Sequence, residues 1–234
     1  MISVMVMQIQ KKKLLGTAAV LLIAAVLIVG TVAVVWMQSV QPEISVCIDA
    51  GHGAHDSGAV NGERLEKDDN LRLALSVREK LEAKKIKVYM TREDDTFLSL
   101  DERCRVANKK KCTLFVALHR NSAESGNGVE MWIQSTPTDT DWALAENMLN
   151  ALSDAGISKA RGVKTGYAKN ADGNYYVNAH TDMPSCLAEI GFVTSEQDNE
   201  LFDKNLDAYA AAIADGIEKT LRDMGKLPAE TDEA

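Results

Sequence analysis

The sequence predicts an α/β fold, in which a mainly parallel, twisted sheet is covered by helices on both faces and preceded by one N-terminal transmembrane helix. Two observations predict the sheet: short apolar runs rich in β-branched residues recur along the chain, and segments with helical spacing separate them. Such alternation is typical of parallel sheets, because each crossover places a helix against the sheet. A third observation, a charge-free apolar stretch near the N-terminus, predicts the membrane helix.

The first 37 residues divide into two parts. Residues 1–13 end in three lysines and are expected to form a short cytoplasmic N-terminus, since basic residues stay on that side. Residues 14–37 carry no charge; as a helix rising about 1.5 Å per residue they would reach roughly 36 Å, enough to cross a bilayer core. We therefore predict a single-pass signal anchor in the cell membrane. Secretion after cleavage is the alternative, because signal peptides share this order of charge and apolarity.

The rest of the chain is predicted to form one extracytoplasmic domain. A linker, 38–43, leads into a folded domain over 44–225, which is long enough to bury a core. Within it, the Gly- and Asn-rich residues 155–184 are expected to form loops with one extended stretch. Residues 226–234 are acidic and are expected to form a flexible tail.

The elements of this domain follow from local pattern. Five apolar runs are predicted strands: Ile44–Asp49, Ile86–Thr91, Leu114–His119, Val129–Gln134 and Ser185–Ile190. Four segments with apolar residues three and four apart are predicted helices: Glu66–Lys84, Ser99–Asn108, Trp142–Asp154 and Leu206–Met224. The second of these helices is expected to begin at a capping box formed by Ser99 and Glu102.

Charge and cysteine content narrow the possible partners. The chain has a formal net charge of −8, and three lysines but no acids lie in residues 1–40, so the remainder carries −11. Such an acidic surface is a poor match for the phosphates of nucleic acid. No C-x-x-C pair is present, so a cysteine zinc site is not predicted. A disulfide between Cys104 and Cys112 is left open, because an exported domain permits one. The sequence does not predict an oligomeric state.

Four side chains capable of metal binding or proton transfer are predicted to meet at one edge of the sheet. His52 follows the first strand, His119 ends the third, Glu189 lies near the end of the fifth, and Glu66 opens the first helix. Ligands in open α/β sheets gather beyond the carboxyl ends of the strands. Two histidines and a carboxylate are a common ligand set for catalytic zinc, and a further carboxylate can transfer a proton. Glu189 has apolar neighbours, where an idle carboxylate would be costly.

Taken singly, these residues also have simpler interpretations. His52 could be a hydrogen-bonding residue of a Gly-rich turn, and His119 a buried core histidine. Glu66 could merely favour the N-terminus of its helix, and Glu63 or Asp68 could replace it as a ligand. The residues alone leave these alternatives open.

Five motifs in order reduce the alternatives: DAGHGAHDSGA, GERLEKDDNL, FVALHRNSA, GVEMW and MPSCLAEIGFVTSEQDNE. Together they resemble the zinc-dependent N-acetylmuramoyl-L-alanine amidases of the amidase type 3 family over about Val46–Leu221. The resemblance implies Zn²⁺ ligands at His52, Glu66 and His119 and a catalytic glutamate at Glu189. It also implies a substrate, peptidoglycan, and a reaction, hydrolysis of the amide between the lactyl group of muramic acid and the L-alanine of the stem peptide.

Four further residues are assigned supporting roles. Arg120 stands where many members of the family have alanine, and is predicted to face the site and bind a substrate carboxylate. His180, in YYVNAHTDMPS, is a second candidate for substrate binding. Asp49 is predicted to orient the ring of His52, and Glu130 to support the site without acting in catalysis.

The sequence therefore predicts a membrane-anchored peptidoglycan hydrolase. Two alternatives are a non-catalytic wall-binding module with the same fold, and a different exported zinc peptidase or deacetylase. The presence of Glu66 and Glu189 argues against the first alternative, and the ordered motifs argue against the second.

Overall fold

The structure, a computed structural model, describes three stretches of the chain: residues 26–31, 43–168 and 173–228. The chain divides into two units, Met1–Glu43 and Ile44–Ala234. In the first unit, residues 26–31 are helical. Among the described residues, no helix is both long and apolar enough to cross a membrane. Most of the predicted membrane helix, 14–37, lies outside the described residues, as do most of the predicted linker and tail.

The second unit contains eight strands and five helices among its described residues. The strands are β1 (Ser45–Ala50), β2 (Val60–Asn61), β3 (Arg64–Leu65), β4 (Lys87–Met90), β5 (Leu114–Asn121), β6 (Val129–Ile133), β7 (Ala160–Thr165) and β8 (Ser185–Phe192). The helices are α1 (Glu66–Ala83), α2 (Leu100–Lys110), α3 (Asp139–Asp154), α4 (Tyr176–His180) and α5 (Glu196–Asp223).

Six strands form one sheet in the order β4-β1-β5-β8-β6-β7, while β2 and β3 form a separate antiparallel pair. Within the large sheet only β6 and β8 pair antiparallel. The predicted mainly parallel sheet is therefore confirmed. All five predicted strands and all four predicted helices are present, and the capping box of Ser99 and Glu102 opens α2 as expected.

The differences from prediction lie where the local signal is weak. Strand β7 and helix α4 both fall in residues 155–184, and β7 fits the one extended stretch that was expected there. Strand β7 is half-exposed along its length, and α4, which was not predicted, has only five residues. Neither shows the alternation or spacing from which an element is predicted. Helix α5 begins at Glu196, ten residues before its predicted start. The backbone of Asn205 departs from helical geometry, so the apolar residues before and after it do not follow one continuous helical spacing.

The two faces of the sheet are covered unequally. Helices α1, α3 and α5 pack on one face, and the much shorter α2 and α4 on the other. Alternate residues of each strand point to opposite faces. In β5, for example, Leu118 joins the larger core beneath the long helices, and His119 points to the other face. The side covered by the short helices leaves room for a cavity at the carboxyl ends of the strands.

All four cysteines are buried and free. Cys47, Cys104 and Cys112 lie in the smaller core between the sheet and α2. The disulfide between Cys104 and Cys112 that the sequence left open is not formed, and these residues act as small apolar side chains.

Candidate metal centre

Three side chains from different elements converge beyond the carboxyl end of β1. The ligand atoms of His52, Glu66 and His119 lie within 4.8 Å of one another. His52 Nε2 is 3.2 Å from Glu66 Oε1, and His119 Nδ1 is 2.9 Å from the same oxygen. Two imidazoles and one carboxylate in this arrangement fit a divalent cation such as zinc, with room for a fourth ligand. The structure thus brings together the three residues predicted as metal ligands.

Glu66 is held firmly because it opens α1 next to the turn that carries His52. Its Oε2 accepts a hydrogen bond from the backbone N–H of Ala59 at 2.8 Å, and its Oε1 accepts one from the N–H of Arg120 at 3.1 Å. Burial raises the pKa of the Glu66 carboxyl, but the hydrogen bonds from His119 and His52 outweigh this and lower it overall. Glu66 is therefore ionised and ready to bind a cation.

The two histidines of the centre differ in their supports. Burial lowers the pKa of His52, but hydrogen bonds to Glu66 and Asp56 outweigh it and raise that pKa to about 9. Metal binding requires the neutral imidazole, so a cation entering the site displaces this proton. His52 Nδ1 lies 2.8 Å from Asp56 Oδ2, which turns Nε2 toward Glu66.

Asp56 contacts the ring of His52, although its sequence position was not predicted to do so. Asp49 was expected to orient His52; instead its Oδ1 accepts hydrogen bonds from Thr91 at 2.6 Å and Arg103 at 2.7 Å. Asp56 reaches the ring because the backbone of Gly53 pairs with its own in a tight turn. The signal that identifies Asp56 is its spacing, four residues after His52 in a Gly-rich turn.

Glu189 lies beside the metal centre on the same face of the sheet. It is paired in register with His119 on β5 and with Glu130 on β6. Its Oε2 is buried and has no hydrogen-bond partner among the described residues. Burial raises the pKa of Glu189 to about 7. A carboxyl group with this pKa can both accept and return a proton near neutral pH.

The neighbouring Glu130 is held in a different state. Its carboxylate contacts Arg161, Lys164 at 2.9 Å and the indole nitrogen of Trp132 at 3.2 Å. Burial raises the pKa of Glu130, but the two cations outweigh this and lower it. Glu130 is therefore a fixed anion beside Glu189, and its predicted supporting role stays a prediction.

A cavity of about 650 Å³ opens over these residues. Its floor holds the three candidate ligands and Glu189, and its walls are largely apolar or aromatic: Phe97, Leu98, Leu100, Tyr167, Tyr175 and Tyr176. Pockets of this kind, apolar with a few convergent polar groups, are typical of enzyme active sites.

The guanidinium of Arg120 does not face this cavity, which corrects the prediction. Side chains alternate along β5, so the residue after His119 points to the opposite face, beneath the long helices. There its Nη1 donates to Asp69 at 2.6 Å and its Nε to the carbonyl of Ile190 at 3.0 Å, and the group stacks on the ring of Phe202. Arg120 thus ties β5 to α1 and α5, and only its backbone N–H serves the centre.

Replacing Arg120 by methionine is expected to destabilise the fold by about 3 kcal/mol, because it leaves the buried carboxylate of Asp69 with fewer partners. The estimate is at the low end for a buried pair, since Arg64 still binds Asp69 at 2.6 Å. Denaturant unfolding measures this difference. The matched control is Arg105→Met, which removes an exposed pair with Asp101 and should cost less than about 1 kcal/mol. Equal losses in the two variants would contradict the assigned structural role.

His180 lies at the end of α4, exposed, with its ring stacked on Tyr176 at 3.8 Å between centroids. It is not among the residues that line the cavity, although Tyr176 is. The predicted contact of His180 with substrate stays a prediction.

The glycines of the DAGHGAHDSGA motif make room for the ligands themselves. A methyl group on Gly51 would lie 2.2 Å from Cε1 of His119, and one on Gly58 would lie 2.5 Å from Oε2 of Glu66. Real side chains do not approach so closely, so both positions must lack a Cβ atom. The bare backbone of this motif is thus explained by the packing of the metal centre.

Gly51→Ala should therefore displace the His119 ring and lower zinc affinity by about tenfold or more, the loss typical when the support of a ligand is removed. Competition with a chromophoric chelator measures the affinity. Gly62→Ala is the control: it has no atom within 4 Å and a φ of 61°, so it should reduce stability but leave zinc binding unchanged. Unaltered affinity in Gly51→Ala would show that the His119 ring has space to move without leaving the centre.

Residues 46–219 match the family model described as N-acetylmuramoyl-L-alanine amidase. The chain is 37% identical over 178 residues to the Bacillus subtilis protein YqiI, covering 74% of this chain and 83% of YqiI. It is 35% identical to the N-acetylmuramoyl-L-alanine amidase LytC of the same organism, covering 74% of this chain but only 34% of LytC.

The fold is also similar to that of a solved amidase structure. The catalytic domain of CwlV, an N-acetylmuramoyl-L-alanine amidase from Bacillus (Paenibacillus) polymyxa, is similar at a TM-score of 0.69 with 37% identity. The match covers 76% of this chain and 98% of that domain. The similarity therefore extends over the unit that carries the metal centre.

Proposed function

The chain belongs to the N-acetylmuramoyl-L-alanine amidase family, and we propose that it is a zinc-dependent peptidoglycan amidase acting at the outer side of the cell membrane. The reaction is hydrolysis of the amide bond between the lactyl group of N-acetylmuramic acid and the L-alanine of the stem peptide. One observation carries the proposal: the unpartnered carboxylate oxygen of Glu189 lies in the same cavity as the triad of His52, Glu66 and His119.

The donor set fits zinc. Nitrogen and carboxylate ligands in a 2:1 ratio, with an open position, are found in catalytic zinc sites. When bound, zinc polarises an amide carbonyl as a Lewis acid and makes water more acidic. Two contacts favour occupation of the site, because they hold ligand side chains in place before the cation arrives. The backbone N–H of Ala59 holds the ionised carboxylate of Glu66, and Asp56 holds the ring of His52.

Glu189 is the residue that moves protons. Its Oε2 accepts a proton from the water that attacks the lactyl carbonyl carbon, and the same group then donates that proton to the alanine nitrogen as the carbon–nitrogen bond breaks. The products are a free lactyl carboxylate and a new N-terminal alanine. A pKa of about 7 suits both steps, because neither protonation state of Glu189 is strongly favoured near neutral pH.

The test is cleavage of purified peptidoglycan by the 234-residue chain, with zinc content measured on the same sample. We expect about one zinc per chain and the release of new N-terminal alanine, which stops when a chelator is added and resumes when zinc is restored. Release of acetate instead would indicate a deacetylase, and release of free peptide fragments a peptidase. Zinc binding and wall binding without any product would favour the non-catalytic module.

Membrane anchoring is a separate part of the proposal. It is supported by the three lysines that precede an uncharged stretch of 24 residues at 14–37. The anchored protein should stay in the membrane fraction after alkaline carbonate washing, and external protease should degrade its catalytic unit in protoplasts. A chain that is recovered without residues 1–37 from the medium would instead show secretion after cleavage.

A further inference from the structure

The backbone that carries His52 has an unusual conformation. The φ angles of His52, Gly53 and Ala54 are 61°, 138° and 48°, so three successive residues lie in the left-handed region. For a residue with a side chain this conformation costs roughly 1–2 kcal/mol. It persists only where surrounding groups fix it. The position of the His52 imidazole therefore depends on whatever holds this turn.

Two buried arginines bind the carbonyls that lead into the turn. Arg103 donates from Nη1 to the carbonyl of Ala50 and from Nη2 to that of His52, both at 2.7 Å. Arg92 donates from Nε to Ala50 at 2.8 Å and from Nη2 to the carbonyl of Gly51 at 2.9 Å. Arg92 is only 4% exposed and Arg103 only 3%. Three successive carbonyls are thus fixed by two guanidinium groups.

The guanidiniums are themselves fixed by the surrounding elements. Asp49 accepts from Arg103 Nη1 at 2.7 Å, and the carbonyl of Leu98, on the cavity wall, accepts from Arg103 Nε at 3.1 Å. Arg92 Nη2 also donates to the carbonyl of Lys67, in the first turn of α1, at 2.8 Å. The turn of His52 is therefore connected to the helix that carries Glu66 and to the cavity wall.

We propose that Arg103, assisted by Arg92, is a positioning residue that sets the place of the ligand His52. This inference rests on the proposed zinc-dependent function. The planar guanidinium of Arg103 reaches Asp49 and the carbonyls of Ala50 and His52 at the same time. A lysine ammonium keeps the charge beside Asp49 but cannot span these acceptors. Without the bond to its carbonyl, the backbone of His52 is free to relax, and the imidazole moves away from Glu66.

The test compares Arg103→Lys with the parent in the full chain. Zinc affinity is measured by competition with a chromophoric chelator, and ligand geometry by the visible absorption spectrum of the cobalt(II)-substituted protein. We expect zinc affinity to fall by about tenfold or more, together with a changed cobalt spectrum. A role confined to general stability would move neither readout.

Ile213→Val is the control for stability, because it trims a fully buried side chain on α5, on the other face of the sheet. It should lower the melting temperature and leave zinc affinity and the cobalt spectrum unchanged. Equal zinc affinity and equal spectra in Arg103→Lys and the parent would overturn the positioning role. If Arg103→Lys does not fold, Asp49→Asn, which weakens the contact that holds the Arg103 guanidinium but keeps the arginine itself, decides by the same readouts. A parent chain that binds no zinc would contradict the proposed function itself.

Discussion

Glu189→Gln should greatly reduce amidase activity and leave zinc binding intact. The glutamine fills the same space on β8 but has no carboxylate to accept a proton from water, and general acid–base catalysis contributes about 10²–10⁴-fold to a rate. We therefore expect the turnover rate on peptidoglycan to fall by at least about 100-fold, with about one zinc per chain still bound. Release of N-terminal alanine and metal analysis of the same sample measure both quantities.

Glu130→Gln is the matched control for this result. Glu130 faces the same side of the sheet and is paired in register with Glu189, but its carboxylate is occupied by Arg161 and Lys164. Its loss should therefore reduce activity much less than the loss of Glu189. If Glu189→Gln retained the full rate with zinc bound, another group would have to transfer the proton, and the assigned catalytic role would be wrong.

His119→Ala should remove both the metal and the activity. Only two of the three candidate ligands remain, and Glu66 loses the imidazole that lies 2.9 Å from its Oε1. Loss of an outer partner of a ligand typically weakens metal binding by about 10–100-fold, so loss of a ligand should exceed this. The expected result is a chain purified with little zinc, whose activity is not restored when zinc is added at a concentration that fully restores the chelator-treated parent.

His180→Ala is the control, because it removes an exposed histidine outside the residues that line the cavity. It should retain full zinc content, and any rise in KM would support the predicted contact of His180 with substrate. A His119→Ala protein with unchanged zinc content would show that the metal, if bound, is held elsewhere.

Much of the fold followed from local pattern. Strand positions could be predicted because buried parallel strands are short apolar runs, and the longer helices because their apolar residues recur on one side. Where an element is as short as α4, that pattern is absent and the helix was not predicted, whereas β7 fits the one extended stretch that was expected in 155–184. The non-helical backbone at Asn205 likewise interrupts the apolar spacing of α5, so the first third of this helix was not predicted.

Predicting the role of Arg120 requires knowing to which face of the sheet its side chain points, as well as its position in the sequence. Its place next to His119 is read directly from the sequence, yet neighbouring residues of a strand face opposite sides of the sheet. Its guanidinium therefore belongs to the core formed with Asp69 and Phe202. The same alternation explains why His119 and Glu189, which are paired in register on adjacent strands, share one face.

The sequence by itself determined the class of fold, the family resemblance and the residues that meet at the metal centre. Strand ends and ordered motifs depend only on which residue types follow one another along the chain. Only the tertiary structure decided which groups support those residues. The contact of Asp56 with His52 and the binding of successive carbonyls by Arg92 and Arg103 depend on side-chain direction and on backbone groups brought together by folding. Carbonyl oxygens are present at every position of a sequence, so no pattern of residue types reveals which of them a buried arginine will bind.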